Sequence, residues 1–345
     1  MNCVRLSRFL QPSSSNNIPL EFQLKADFPA HKPAIHHTDK IMLLGSCFTE
    51  HISKRLQDAK FDVMANPHGI LFNPLSVCHS LDAYIDGRVY DKSELFYLNE
   101  IYNSWDFHTR FSETNANVAL AQMNESVATA ASFIRKADWL IVTLGSAFQY
   151  FLKEEKGGVS VANCHRAPGQ WFDKRLLHTD LIVAELKKVT ARLKTINPGL
   201  KIIFTISPVR HIRDGVVNNN RSKARLIEAV HQIVDEMPDC SYFPAYELII
   251  DVLRDYRFYD IDMVHPNYPA TQFVWEHFSK VFFEEETVQL IRQITELTIA
   301  RNHKSRFPDT EAHRRFLEGN VTKIQKLLEG FPYLDFKEEM GYFKK

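Results

Sequence analysis

Short apolar runs without alternation punctuate the chain: Ile41-Met42-Leu43-Leu44, Phe61-Asp62-Val63-Met64, Trp139-Leu140-Ile141-Val142-Thr143, Lys201-Ile202-Ile203-Phe204-Thr205-Ile206 and Ser241-Tyr242-Phe243. Runs of this kind predict strands buried on both faces of a parallel sheet. Between them the period changes to that of helices. Phe48, Ile52 and Leu56 line one face of a first helix, and Asn73-Pro74 opens a second that runs through Tyr84, with proline at its first position. A long helix over 115–136 carries Val118, Met123, Val127, Phe133 and Ile134, and another over 180–196 stops at Asn197-Pro198-Gly199. Two more are read over 218–237 and 270–283. Strands alternating with helices predict an α/β domain built on a doubly wound parallel sheet.

Three stretches fall outside that rhythm. Residues 90–111, with Trp105, Phe107 and His108, are aromatic and partly alternating, as in a hairpin or a substrate-facing flap. Residues 148–163 read as an inserted hairpin turning at Glu154-Glu155-Lys156-Gly157-Gly158. The tail is charged and helical, and Phe316, Val321, Ile324, Leu327 and Leu328 offer a face for the core or for a second copy in a homo-oligomer. A loop at Pro12–Pro19 lies within an irregular N-terminal segment. The expected division is an arm over 1–40, an α/β domain over 41–286 and a helical appendage over 287–345.

Composition narrows the partners. The 345 residues carry 42 Lys plus Arg against 42 Asp plus Glu, so no global field draws the chain to nucleic acid or acidic membranes. Cys3, Cys47, Cys78, Cys164 and Cys240 are odd in number and scattered, which fits neither a disulfide framework nor a zinc pattern and suits a reducing compartment. Arg5 and Arg8 are followed by a polar, Ser-rich stretch rather than an apolar one. Neither a secretory signal nor a membrane span is read, and a cytoplasmic protein is expected.

Candidate chemistry sits at two places. Gly45-Ser46 ends the first apolar run and precedes a helix, so Ser46 stands where open α/β sheets bind ligands and where free helix N–H groups face negative charge. Far downstream, Asp262-Met263-Val264-His265-Pro266 spaces a carboxylate three residues before an imidazole, close enough for Asp262 to fix the tautomer of His265. The order Ser46, Asp262, His265 is one of the known orders of a catalytic triad. Cys47 is an alternative nucleophile, because a helix N-terminus lowers a thiol pKa. Arg210 and His211, just beyond the strand ending at Ile206, and His165 can bind substrate, or Arg210 can pair with a surface carboxylate. Asn163, near His165, can donate an amide to the site or simply end a hairpin turn. Cys78-His79 and Cys164-His165 lack spaced partners, so no metal or cofactor is expected.

Gly45-Ser46-Cys47-Phe48 resembles the opening motif of the GSCFA domain family, a branch of the SGNH (GDSL-like) esterases. Asn66-Pro67-His68-Gly69, Phe72-Asn73-Pro74, Thr143-Leu144-Gly145-Ser146, Asn163-Cys164-His165, Ser207-Pro208-Val209-Arg210-His211 and Asp262-Met263-Val264-His265-Pro266 extend the resemblance in order, from about residue 20 to about residue 290. It implies a flavodoxin-like, three-layer fold and an esterase with Ser46 as nucleophile, His265 as proton shuttle and Asp262 as its orienting carboxylate. The same acyl-enzyme serves an O-acyltransferase, and a binding module is the non-catalytic alternative. Most SGNH enzymes place Gly-x-Asn after the third core strand, whereas this chain has Gly145-Ser146-Ala147. The resemblance therefore leaves the oxyanion to the backbone of Gly69 and Ser46, or to Asn73 or Asn163. An acylated small alcohol or carbohydrate is the expected substrate.

Overall fold

The computed structural model describes residues 24–344; the Pro12–Pro19 loop, most of the expected arm and Cys3 lie outside them. The elements run β1 (Lys40–Gly45), α1 (Cys47–Asp58), β2 (Asp62–Ala65), α2 (Pro74–Asp86), β3 (Leu95–Leu98), β4 (Ile101–Ser104) and α3 (Ala116–Ile134). They continue as β5 (Trp139–Leu144), β6 (Phe148–Leu152), β7 (Ser160–Val161), β8 (Phe172–Leu176), α4 (Thr179–Ile196), β9 (Lys201–Ile206), α5 (Val216–Glu236) and β10 (Cys240–Phe243). A short α6 (Ala245–Glu247) winds on into a wider turn over Leu248–Leu253, before α7 (Tyr268–Phe282), α8 (Glu285–Asn302), α9 (Glu311–Gly330) and α10 (Lys337–Phe343).

The five strands of the central sheet lie in the order β10-β9-β5-β1-β2, and every neighbouring pair is parallel. Numbered by chain order among themselves, they read 2-1-3-4-5, the flavodoxin-like arrangement. The apolar runs do not alternate because both faces are covered. Met42 and Leu44 on β1, with Leu140 and Val142 on β5 and Ile202 and Phe204 on β9, pack under α2, α3, α4 and α5. Ile41 and Leu43, with Trp139, Ile141 and Ile203, face the other way into a cluster shared with α1, the Leu248–Leu253 turn and α7. This is a three-layer α/β sandwich, and each fully buried Leu or Ile contributes roughly 1.5–3 kcal/mol of transfer free energy to it.

Both irregular stretches form small antiparallel sheets beside the main one. β3 and β4 make a hairpin whose Phe96 stacks on Trp105 with ring centroids 3.7 Å apart. β6 pairs with β7 as the sequence suggests, turning through Gly157 and Gly158, both with positive φ. A third strand, β8, adds to the other side of β6. Its Asp173-Lys174-Arg175 centre hides the pattern, since only one end of the strand (Phe172) is buried.

The tail builds a cluster of its own from Leu290, Ile294, Leu297, Ile324, Leu327, Phe336 and Phe343. Of the positions singled out, Ile324 and Leu327 enter that cluster, while Phe316 stays 37% exposed. Tyr333 Oη meets His37 Nδ1 at 3.1 Å, and Lys60 pairs with the buried Glu339 at 3.0 Å. His37 precedes β1 and Lys60 follows α1, so the tail docks at the amino-terminal edge of the sheet. Among the described residues, no helix is long and apolar enough to cross a membrane.

Candidate active site

The carboxyl end of β1 lies beside β5, at the point where chain order reverses across the sheet. Ligands settle at such switch points because the two neighbouring connections leave on opposite faces. Gly45 ends β1 with φ 143°, and a Cβ there would lie 2.3 Å from the Thr143 carbonyl oxygen and 2.8 Å from Thr49 Oγ1. Only glycine fits. The turn is fixed from the other side by Asn66, fully buried with φ 47°, whose Oδ1 accepts the Gly45 N–H at 2.9 Å. The Asn66 carbonyl in turn accepts from Gly69 N and from the Arg110 guanidinium.

Ser46 follows as the N-cap of α1, with its hydroxyl accepting the Phe48 N–H at 3.3 Å. That hydroxyl donates to Ser207 Oγ at 3.0 Å, and both serines are buried. Ser207 itself continues β9, bonded from its N–H to the Leu144 carbonyl. The two side chains therefore meet above the end of β5, at the head of α1. There the Cys47 N–H, first in the helix, takes no oxygen acceptor among the described residues.

The Asp262-x-x-His265 pair forms as its spacing suggests. Asp262 Oδ1 accepts the N–H groups of Val264 (2.9 Å) and His265 (3.0 Å), while its Oδ2 meets His265 Nδ1 at 2.7 Å. The imidazole contact, followed by these backbone bonds, holds the Asp262 carboxyl down at about 2. A carboxylate at Nδ1 places the ring proton there and leaves Nε2 as the basic nitrogen. Both side chains are close to half exposed. No hydrogen bond joins His265 to Ser46 in this structure, because the Ser46 hydroxyl is turned to Ser207.

Arg210 explains how the His265 turn is held near the sheet. Its N–H donates to the Val264 carbonyl at 3.1 Å, and its guanidinium lies over Tyr259 (4.2 Å) and Tyr256 (4.9 Å). Of the two alternatives for Arg210, no carboxylate pairs with it among the described residues, and the tyrosine rings take that place. His211 stacks on Phe72, its Nε2 buried without a partner and 3.2 Å from where a Cβ on Gly145 would sit. Burial, then the nearby charge of Lys223, pushes its imidazole down to about 3, so it is neutral.

The oxyanion candidates fare differently. The Gly69 N–H is spent on the Asn66 carbonyl at 2.7 Å, and the Ser46 N–H points to the Thr143 carbonyl at 3.3 Å. Both N–H groups are thus already bonded in this structure, that of Ser46 through the longer contact. Asn73 Nδ2 donates to the Phe148 carbonyl at 3.2 Å, and Asn163 Oδ1 caps the His165 N–H at 2.8 Å, as in a turn. His165 is buried against Phe96 and Trp105, with its Nε2 on the Ser104 carbonyl and its Nδ1 without a partner. Ala147, in the slot that resembles the SGNH asparagine, is fully buried with its N–H on Ser222 Oγ. Burial raises the Cys47 thiol above its usual range, against the activation that would make it a nucleophile.

Three residues at the site escaped the sequence reading: Asn66, Ser207 and Lys223. Lys223 carried a signal, since it falls on the buried stripe of α5 with Asn219, Leu226, Val230 and Ile233. Asn66 and Ser207 each open one of the motifs that carry the family resemblance, but those motifs gave them no role.

The sequence model described as the GSCFA family matches residues 40–278. The chain belongs to the GSCFA family. A second model, for the C-terminal domain of GSCFA domain proteins, matches residues 294–345. A search of curated proteins returns no match. Solved structures similar to this GSCFA chain include a carbohydrate esterase of family 3 from Talaromyces cellulolyticus, 12% identical, covering 74% of this chain and 99% of that one with a TM-score of 0.33. An acetyl xylan esterase from the rumen bacterium Butyrivibrio proteoclasticus is 13% identical, covering 71% of this chain and 63% of that one, with a TM-score of 0.34. The GSCFA chain thus spans less than two thirds of the second.

Proposed function

We propose that this GSCFA protein is a serine esterase of SGNH type, acting on an acyl ester of a small or carbohydrate-like alcohol, with 41–286 as the catalytic unit and 287–345 as a helical appendage. What carries the reading is the pair of groups at one sheet edge: a buried serine hydroxyl capping α1 at the switch point, and an Asp262–His265 couple on a turn tethered to the end of β9. Ser46 Oγ attacks the ester carbonyl as its proton passes to His265 Nε2, and the C=O electron pair moves onto the oxygen. Collapse of that intermediate expels the alcohol, which takes the proton back from His265, and water then repeats the sequence on the acyl-enzyme. The Cys47 N–H, following the nucleophile at a helix N-terminus, is the backbone donor best placed for the oxyanion. The reaction requires Ser46 to exchange Ser207 for His265, a tightening on substrate binding that resting catalytic sites often need.

That Ser46 is bonded to Ser207 and not to His265 is also what favours a non-catalytic binding module. One experiment separates the two. Ser46→Ala, His265→Ala and the double variant are each expected to lose on the order of 10⁴-fold in turnover of p-nitrophenyl acetate, because members of one unit are not additive. Turnover that survives both single substitutions contradicts the esterase. Alcohol acceptors that compete with water for the acyl group would show a transferase.

A further inference from the structure

Lys223 lies on the sheet-facing stripe of α5 and is 1% exposed. Its Nζ donates to two carbonyl oxygens, those of Gly145 and Ser207, each at 2.6 Å. These are the residues that leave β5 and β9 at the site, and Ser207 is the one whose hydroxyl holds Ser46. Among the described residues no carboxylate pairs with this ammonium. A buried cation without a carboxylate is unfavourable even after relaxation, and two carbonyl bonds with the Tyr246 ring 5.8 Å away offset only part of that. Ser207 also joins this ammonium to the candidate nucleophile, since its carbonyl takes Lys223 Nζ while its hydroxyl takes Ser46 Oγ at the head of α1. The ammonium and the helix N-terminus both favour negative charge in the neighbourhood of Ser46. Such an arrangement turns favourable only when negative charge appears there.

We infer that Lys223 is the fixed positive charge of this site, a positioning residue that shapes the ends of β5 and β9 and stabilises the negative charge formed when Ser46 attacks. The inference rests on the esterase reading. Lys223 keeps its proton throughout: the Ser46 Oγ–carbon bond forms, the carbonyl pair moves to oxygen, and the Ser46 proton goes to His265. Its field acts from a buried position beside two buried serines, where charge is worth more than in water.

Burial brings Lys223 down to about 7. The cation is therefore present below that pH and lost above it, so kcat/KM should fall as pH rises through about 7. This is opposite in sign to the demand for a neutral His265. The groups facing Lys223 do not confuse the limb: burial raises Cys47 and Tyr246, and His211 is already neutral.

The test is the pH profile of p-nitrophenyl acetate turnover, from about pH 5 to 9, for wild type, Ser46→Ala, Lys223→Met and Lys223→Gln, with thermal melts of each. Both Lys223 variants should lose roughly 10-fold to 100-fold in kcat below pH 7 with little change in KM, and should lack the alkaline fall of the wild type. A folded variant that keeps the wild-type kcat and the alkaline fall, with only a lowered melting temperature, would show a structural role and overturn the inference. If neither variant folds, the wild type decides alone, since a profile without a fall near pH 7 also overturns it. Absence of any Ser46-dependent turnover would instead sink the esterase reading itself, and this inference with it.

Discussion

At the scale of single residues, the site depends on two backbone conformations that ordinary side chains avoid. Asn66 holds φ 47° while its side chain satisfies the Gly45 N–H, so two demands fall on one residue. Asn66→Ala loses the acceptor and gains left-handed strain, which together cost roughly 2–4 kcal/mol. Asn66→Asp keeps the acceptor and tolerates the conformation, giving up the long Nδ2 bond to Glu50 Oε1 (3.4 Å), and at mildly acid pH, where one of the two carboxyls can hold a proton, it is expected to be the milder change. Melting temperature and turnover measured together should fall in that order; equal melting of all three proteins would contradict the role given to Asn66. Gly45, Ser46, Asp262 and His265 were legible in the sequence because their chemistry is local: a turn after a strand, and a three-residue spacing. The oxyanion donors were not. The resemblance points to the Gly69 and Ser46 backbone, but whether an N–H is free depends on the carbonyl it meets. For Ser46 that is Thr143 on a neighbouring strand, far away in sequence, and for Gly69 it is Asn66, within a turn whose closure the residue types alone do not reveal.

At the scale of elements, the strands of the main sheet and α1 to α5 were readable from period alone, since burial on both faces removes alternation and burial on one face imposes the helical repeat. β8 was not, because a strand on the edge of a small sheet buries too little to show a pattern. Lys223 is the instructive case: a charged residue on an apolar helical stripe is a local contradiction, and such contradictions tend to mark sites. Its burial also links α5 to stability. The unfolded chain keeps the Lys223 proton to about 10.5 and the folded chain releases it near 7, so between these values the unfolded state binds more protons. Stability from this group is therefore fully present above about 10.5 and lost as pH falls through about 7, with a slope of at most about 1.4 kcal/mol per pH unit. The stability of wild type relative to Lys223→Met, from denaturant unfolding at pH 7, 8 and 9, should increase along that series. A constant difference would mean that Lys223 is not perturbed by folding.

At the scale of the whole molecule, the candidate site and the tail occupy opposite edges of one sheet. The GSCFA C-terminal region reaches the α/β unit through Lys60–Glu339 and Tyr333–His37, at the amino ends of the strands. Glu339→Ala leaves Lys60 half-buried without its partner and should cost roughly 1–3 kcal/mol, less than a fully buried pair because Lys60 keeps some solvent. Turnover per folded molecule should be unchanged, and a selective loss of turnover would show that the tail communicates with the site. The central claim is narrower, that Ser46 forms a covalent bond to the acyl group. Acid quenching of the protein within the first turnovers of p-nitrophenyl acetate, followed by peptide mass mapping, tests it most directly. The account predicts one acetyl group, on Ser46, absent from Ser46→Ala and strongly reduced in His265→Ala. Acetyl on Cys47, or ester turnover with no acetyl on Ser46 at any time, would contradict it.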